Sequence, residues 1–168
     1  MTSIRADLVL SQSAFSHVVD VPFDAIDIAS WLFALPDAEY QRCAPPDHIA
    51  AGATWTDDGR RMSINVEQIG TGLVVQHYVG EITEKNYCRM VSLSDVFTPH
   101  GRTKVQVIWE LSAKQLADGK TEYTNSVIRI RPTISSPLSR KWVFLSNRPR
   151  AIARARRAII TGERPPLC

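Results

Sequence analysis

The residues best placed to do chemistry sit on a strand that mixes histidine and carboxylate with valine. In GLVVQHYVGEI, residues 72–82, the alternate positions Val75, His77, Val79 and Glu81 share one face of an extended chain. A part-buried imidazole moves protons near neutral pH, and a neighbouring carboxylate can tune or orient it. Treating TEKN as an even-numbered turn sets His77 opposite Ser92 and Val79 opposite Met90. His77, Glu81 and Ser92 are therefore the candidate catalytic residues. A nucleophile and base for acyl transfer would also need oxyanion donors and an orienting acid, and no GxSxG elbow is present. General acid/base work by His77 is the better chemical reading. The alternatives stay open that His77 is a satisfied core histidine, that the serines bond to backbone, and that Glu81, near a strand end, is a solvated edge carboxylate.

Those residues need a sheet to position them. The turn signals TDDGR, IGTG, TEKN, TPHG and LADGK divide strands near 48–56, 60–69, 72–82, 87–97, 102–113 and 122–131, after a first strand in FSHVVDV. Between the first strand and the second, FDAIDIASWLFALPDAEYQ has helical spacing, with Asp24 as a candidate cap and Pro36 dividing it into two short helices. The segment SPLSRKWVFLSNRPRAIARARRAIITGERPP reads as a long closing helix that Pro149 kinks or splits. IGTG pairs Met62 with Val79, Ile64 with His77 and Val66 with Val75, and TPHG pairs Met90 with Trp109 and Ser92 with Val107. One mostly apolar face then collects these residues with Cys88, Ser94, Val96, Val105 and Leu111, and Ile128 and Ile130 extend it. The opposite face gains the charge pairs Arg89 with Glu110 and Asp95 with Lys104, which belong in water. This register predicts that His77 points inward. It also lines up Tyr78, Val91, Ile108 and Val127 as an apolar row on the outer face, where a second copy of the chain could form a homodimer.

Composition bounds the function. A chain of 168 residues, 44% hydrophobic and 22% charged, suits one globular domain over 1–168. Neither a signal peptide nor a membrane span is legible, so the expected location is cytoplasmic. Cys43, Cys88 and Cys168 lack CxxC spacing and are expected as free thiols. The net charge of +3 is local: residues 129–168 hold ten Lys/Arg and one Asp/Glu, against ten and sixteen before them. A solvated basic helix face explains that tail better than a nucleic-acid or membrane partner. GTG at 70–72 leads into a strand and is not a dinucleotide loop.

The element order, together with the closing SRKWVFLSNRPRAIARARRAI, resembles the START-like (SRPBCC) superfamily. What the resemblance implies is an α+β helix-grip fold: a seven-stranded antiparallel sheet curved around a long C-terminal helix, with two short helices between strands 1 and 2. It further implies a cavity for a hydrophobic small-molecule ligand, as in the polyketide cyclase/dehydratase and lipid-transport branches. Its expected lining is His17, Met62, Ile64, Cys88, Met90, Ser94, Val107, Trp109 and Ser126, with Trp142, Leu145, Ile152 and Arg156 from the helix. Small polar residues among large apolar ones leave room for a ligand. The iron-oxygenase branch needs a helix-borne two-histidine, one-carboxylate set, whereas His17, His48, His77 and His100 are scattered over strands and loops, so no metal or other cofactor is expected. Three classes follow: a cyclase- or dehydratase-like enzyme on an apolar, oxygenated substrate, a noncatalytic carrier or sensor of such a ligand, and an interaction module using Arg150, Arg154 and Arg157.

Overall fold

The computed structural model describes residues 1, 2 and 4–132. After a 3-10 turn at Ala6–Leu8 come strand β1 (Val9–Val19), a second 3-10 turn at Phe23–Ala25, and helices α1 (Ile28–Ala34) and α2 (Asp37–Cys43). Strands β2 (His48–Trp55), β3 (Arg61–Ile69), β4 (Gly72–Thr83), β5 (Tyr87–Thr98), β6 (Gly101–Gln115) and β7 (Thr121–Ile130) follow. They form one antiparallel sheet of seven strands in the order β1-β7-β6-β5-β4-β3-β2, so β1 is brought back to pair with β7. The expected closing helix, with Trp142, Leu145, Ile152 and Arg156, lies outside the described residues.

Local chemistry accounts for the breaks. Gly70 and Gly119 take φ of 62° and 81° in their hairpin turns, a left-handed conformation that glycine adopts without a Cβ penalty. The cap of α1 is Asp27, not Asp24: the Asp27 carboxylate accepts the Ser30 N–H at 2.8 Å, while Asp24 falls in the preceding 3-10 turn. Pro36 then separates α1 from α2, as its missing N–H and fixed φ require. Helix α1 buries Ile28, Ala29, Leu32 and Phe33 against one face of the sheet. There they meet Val74, Tyr78, Cys88, Met90, Val96, Val105, Val107, Leu111 and Tyr123. Full burial of a side chain of this kind stabilises the fold by about 1.5–3 kcal/mol. This is the inner face.

The pairing within the sheet differs from the sequence expectation at one step. The β3–β4 register pairs Met62 with Val79, Ile64 with His77 and Val66 with Val75, and the β5–β6 register pairs Met90 with Trp109 and Ser92 with Val107, both as expected. Between β4 and β5, however, Ile82 pairs with Arg89 and Gly80 with Met90, so Glu81 is an extra residue in β4. That bulge shifts the remaining ladder by one residue and inverts every side chain beyond it. Val79 now lies opposite Val91 and Val75 opposite Asp95. The inner residues of β4 are therefore Val74, Gln76, Tyr78 and Gly80, and His77 points out.

A second correction concerns β7. Val107 pairs with Arg129 and Trp109 with Val127, which turns Tyr123, Asn125, Val127 and Arg129 inward. Ile128 and Ile130, expected inside, pack instead with Ile108 in a small outer cluster under Leu8 and Val9 of the N-terminal segment.

Candidate ligand-binding face

The bulge sorts the expected site residues by face. Ser92, Cys88, Met90, Ser94, Val107 and Trp109 are on the inner face. His17 is there too, exposed at the β1 edge opposite Tyr123. His77, Met62 and Ile64 share the outer face, and Ser126, opposite Glu110, is also outside. The expected outer row is split in the same way, because Tyr78 and Val127 turn inward while Val91 and Ile108 stay out under Leu8 and Val9.

Ser92 is not a nucleophile paired with an imidazole. Its Oγ accepts the backbone N–H of His77 at 2.8 Å and shares a 3.0 Å hydrogen bond with Ser94 Oγ. Both serines thus have partners within the sheet.

Glu81 belongs to an outer network. Its carboxylate meets the Arg89 guanidinium and both the N–H and hydroxyl of Thr2, while Arg89 Nε reaches Glu110 at 3.0 Å. Burial works against the Glu81 charge, but the Thr2 hydrogen bonds and Arg89 outweigh it and hold the carboxyl below its ordinary value.

The inner face carries polar residues that hydrophobic patterning assigned to solvent. Ser63, Asn65 and Glu67 alternate along β3, and Gln76 and Tyr78 stand opposite Asn65 and Ser63 on β4. Ser63, Asn65 and Gln76 are buried, as are Ser92 and Ser94 on β5. Ser63 Oγ donates to Asn65 Oδ1 at 3.2 Å, and Trp109 Nε1 donates to Asn125 Oδ1 at 3.1 Å. Tyr78 lies against Trp109 with ring centroids 5.1 Å apart and tilted by 54°. Two groups stand out: among the described residues, Gln76 Oε1 and Trp31 Nε1 are buried without a hydrogen-bond partner. Leaving such a group unpaired costs about 1–3 kcal/mol, which a ligand or water can return by bonding to it.

Where α2 crosses the end of β2 and β3, a titratable cluster closes this face. The Tyr40 hydroxyl donates to Glu67 Oε1 at 2.7 Å, and the Tyr40 ring stacks on His48 at 3.9 Å between centroids. His48 Nδ1 lies 2.8 Å from the Tyr40 carbonyl oxygen, an acceptor only, so Nδ1 carries hydrogen. Its Nε2 is left 4.0 Å from Glu67 Oε1. Burial first, then Glu67, pushes the Tyr40 phenol far above its ordinary value, so it stays a donor. Tyr78 is pushed up in the same way, by burial and then Glu67. Cys88 is a poor nucleophile here, its thiol pushed up to about 11 by burial and then by Asp27. Among the described residues no three His, Cys, Asp or Glu side chains converge as metal ligands, and no helix is long and apolar enough to cross a membrane.

Sequence reasoning missed Tyr40, His48, Asn65, Glu67 and Gln76. The available signal was Gly80, since a glycine inside a strand often marks a bulge; placing the bulge there exchanges the faces of β4.

No protein-family profile matches the chain, and no curated protein matches it. Solved structures do resemble it. A START superfamily protein from Mycobacterium smegmatis is 14% identical, over 76% of this chain and 82% of that one, with a TM-score of 0.47. An uncharacterized protein from Rhizobium leguminosarum is 13% identical, over 74% and 80% of the two chains, with a TM-score of 0.41.

Proposed function

We propose that this chain binds a largely apolar small molecule against the inner face of its sheet and acts as a carrier or sensor of it. The observation that carries this reading is Gln76 Oε1, an unpartnered acceptor buried on a face otherwise built from Val74, Tyr78, Met90, Val107 and Trp109. Apolar walls with a few polar groups are what a small-molecule site requires: the walls supply affinity and the polar atoms fix orientation. A buried orphan acceptor is unfavourable in an empty protein and becomes favourable once a donor reaches it.

Trp109 and Trp31 border this face, so an apolar probe should change tryptophan fluorescence and raise Tm in proportion to its occupancy. Trp109→Phe should remove most of the fluorescence response while the thermal shift persists. If a broad panel of apolar probes gives neither fluorescence change nor stabilisation, the binding reading fails.

A second reading is catalytic. Assistance of cyclisation or dehydration by His77, Glu81 and Ser92 lacks a common face on which they could meet one substrate. The approach of His48 Nε2 to Glu67 Oε1 favours Glu67, Tyr40 and His48 as the acid/base set instead. Turnover of a bound compound that falls about 10²-fold or more in Glu67→Gln, with binding retained, would support it.

A further inference from the structure

The polar groups of the inner face also constrain the chemistry of what binds there, given that the binding reading above holds. Gln76 is 94% buried by its 6% relative exposure, and its Oε1 has no partner among the described residues. Asn65 stands directly opposite Gln76, and Glu67 is the next inward residue of β3, a diagonal neighbour. Diagonal positions across an antiparallel pair lie about 7–8 Å apart, close enough for one ligand group to reach both. Glu67 is an acceptor as well: Oε1 already takes the Tyr40 hydroxyl, and the side chain is only 20% exposed. The Asn65 carbonyl oxygen is already occupied by Ser63. The buried orphan at this end is thus an acceptor and its neighbour Glu67 a carboxylate, while the amide NH2 groups of Gln76 and Asn65 are donors without the charge that would offset a second anion beside Glu67.

We infer that the ligand presents a hydrogen-bond donor, a hydroxyl or an amine on an apolar body, to Gln76 and Glu67, and that this end of the site rejects carboxylates. A hydroxyl donates to Gln76 Oε1 and returns to that oxygen the bond it lacks. A ligand carboxylate has no hydrogen to give and would bring a second negative charge beside Glu67 in a poorly solvated place. Tyr40 does not rescue it, because its only hydroxyl hydrogen is committed to Glu67. Among the described residues, two inner-face cations could favour an anion instead: Arg61, at the other end of β3 over the Phe33 ring at 4.2 Å, and Arg129, three strands away on β7, where its Nη1 donates to Ser11 Oγ at 3.2 Å.

The test uses two probes with the same apolar body, 2-naphthaleneethanol and 2-naphthaleneacetate, titrated into the full chain at pH 7.5 by calorimetry. The alcohol should bind about tenfold or more tightly than the acid. Glu67→Gln should narrow that gap by improving the acid. Gln76→Leu should weaken the alcohol about fivefold to tenfold and leave the acid nearly unchanged. Melting curves of both variants show that the folded protein is being measured, and Glu67→Gln keeps the shape of the side chain. An acid that binds as well as the alcohol, or better, overturns this inference alone and moves the polar end of the ligand towards Arg61 or Arg129. If neither probe binds nor stabilises the chain, the binding reading falls and this inference with it.

Discussion

On the inner face of β4, Val74, Gln76 and Tyr78 stand under α1 and beside β5. On its outer face, Val75, His77 and Val79 lie in a field with Met62, Ile64 and Val66. By composition the outer set is the more apolar. The difference lies in how the polar groups are matched. Outside, Arg89 is held between Glu81 and Glu110, and Asp95 between Arg102 at 2.9 Å and Lys104 at 2.8 Å. Inside, Gln76 Oε1 and Trp31 Nε1 are open. Charges that complete one another serve the fold, whereas buried groups left open are what a binding face needs. Completeness of hydrogen bonding, more than hydrophobicity, separates the two faces of this sheet.

The largest effect that would break this comparison is in the core. Leu111→Ala, at a fully buried inner position, should cost about 2–5 kcal/mol in urea unfolding, whereas Val79→Ala, half-buried outside, should cost about 1 kcal/mol. Equal costs would mean that the faces are misassigned.

The outer ion network comes next. Arg89→Met leaves Glu81 and Glu110 facing each other without their cation, and should destabilise by about 1–3 kcal/mol once the partial exposure of both carboxylates is allowed for. Its pH dependence has a definite sign. Glu81 is held below its ordinary value of 4.5, so its contribution is present above that pH and is lost as pH falls through the lowered folded value. Acid unfolding curves should therefore be shallower below about pH 4.5 in Arg89→Met than in the native chain. An unchanged acid limb would leave the Thr2 hydrogen bonds, without Arg89, as what holds the Glu81 charge.

The smallest effect is expected at His77, on the outer face of β4. His77→Gln should change stability by no more than about 0.5 kcal/mol and leave inner-face binding as it was. Loss of binding in a folded His77→Gln protein would return that histidine to the site.

Much of the architecture was legible because turns declare themselves. IGTG and TPHG set the registers of their hairpins correctly, and Pro36 marked the break between the helices. The inner face was not legible, for two physical reasons. A single extra residue at Glu81 inverts a strand without changing its composition, and TEKN gives no sign of it. Hydrophobic patterning then reinforced the error, because Ile64, Val66, Val75 and Val79 look more like core than Ser63, Asn65, Gln76 and Tyr78 do. The same thing happened on β7, where Ile128 and Ile130 are apolar because Leu8 and Val9 cover them from outside, a contact far away in sequence. Ser63, Asn65 and Gln76 break the rule that buried means apolar, and patterning by hydrophobicity fails on the two strands that carry them.

Native mass spectrometry of freshly purified protein tests most directly which face of the sheet binds a small molecule, with 2-naphthaleneethanol added if none co-purifies. Ser94→Leu adds bulk to the inner face at a position with 0% exposure, and His77→Leu replaces the imidazole on the outer face of the neighbouring strand with an apolar side chain of about the same volume. The bound mass should be lost from Ser94→Leu and kept by His77→Leu, with circular dichroism showing both variants folded. A bound mass that survives Ser94→Leu and disappears from His77→Leu would place the ligand on the outer face and contradict the account.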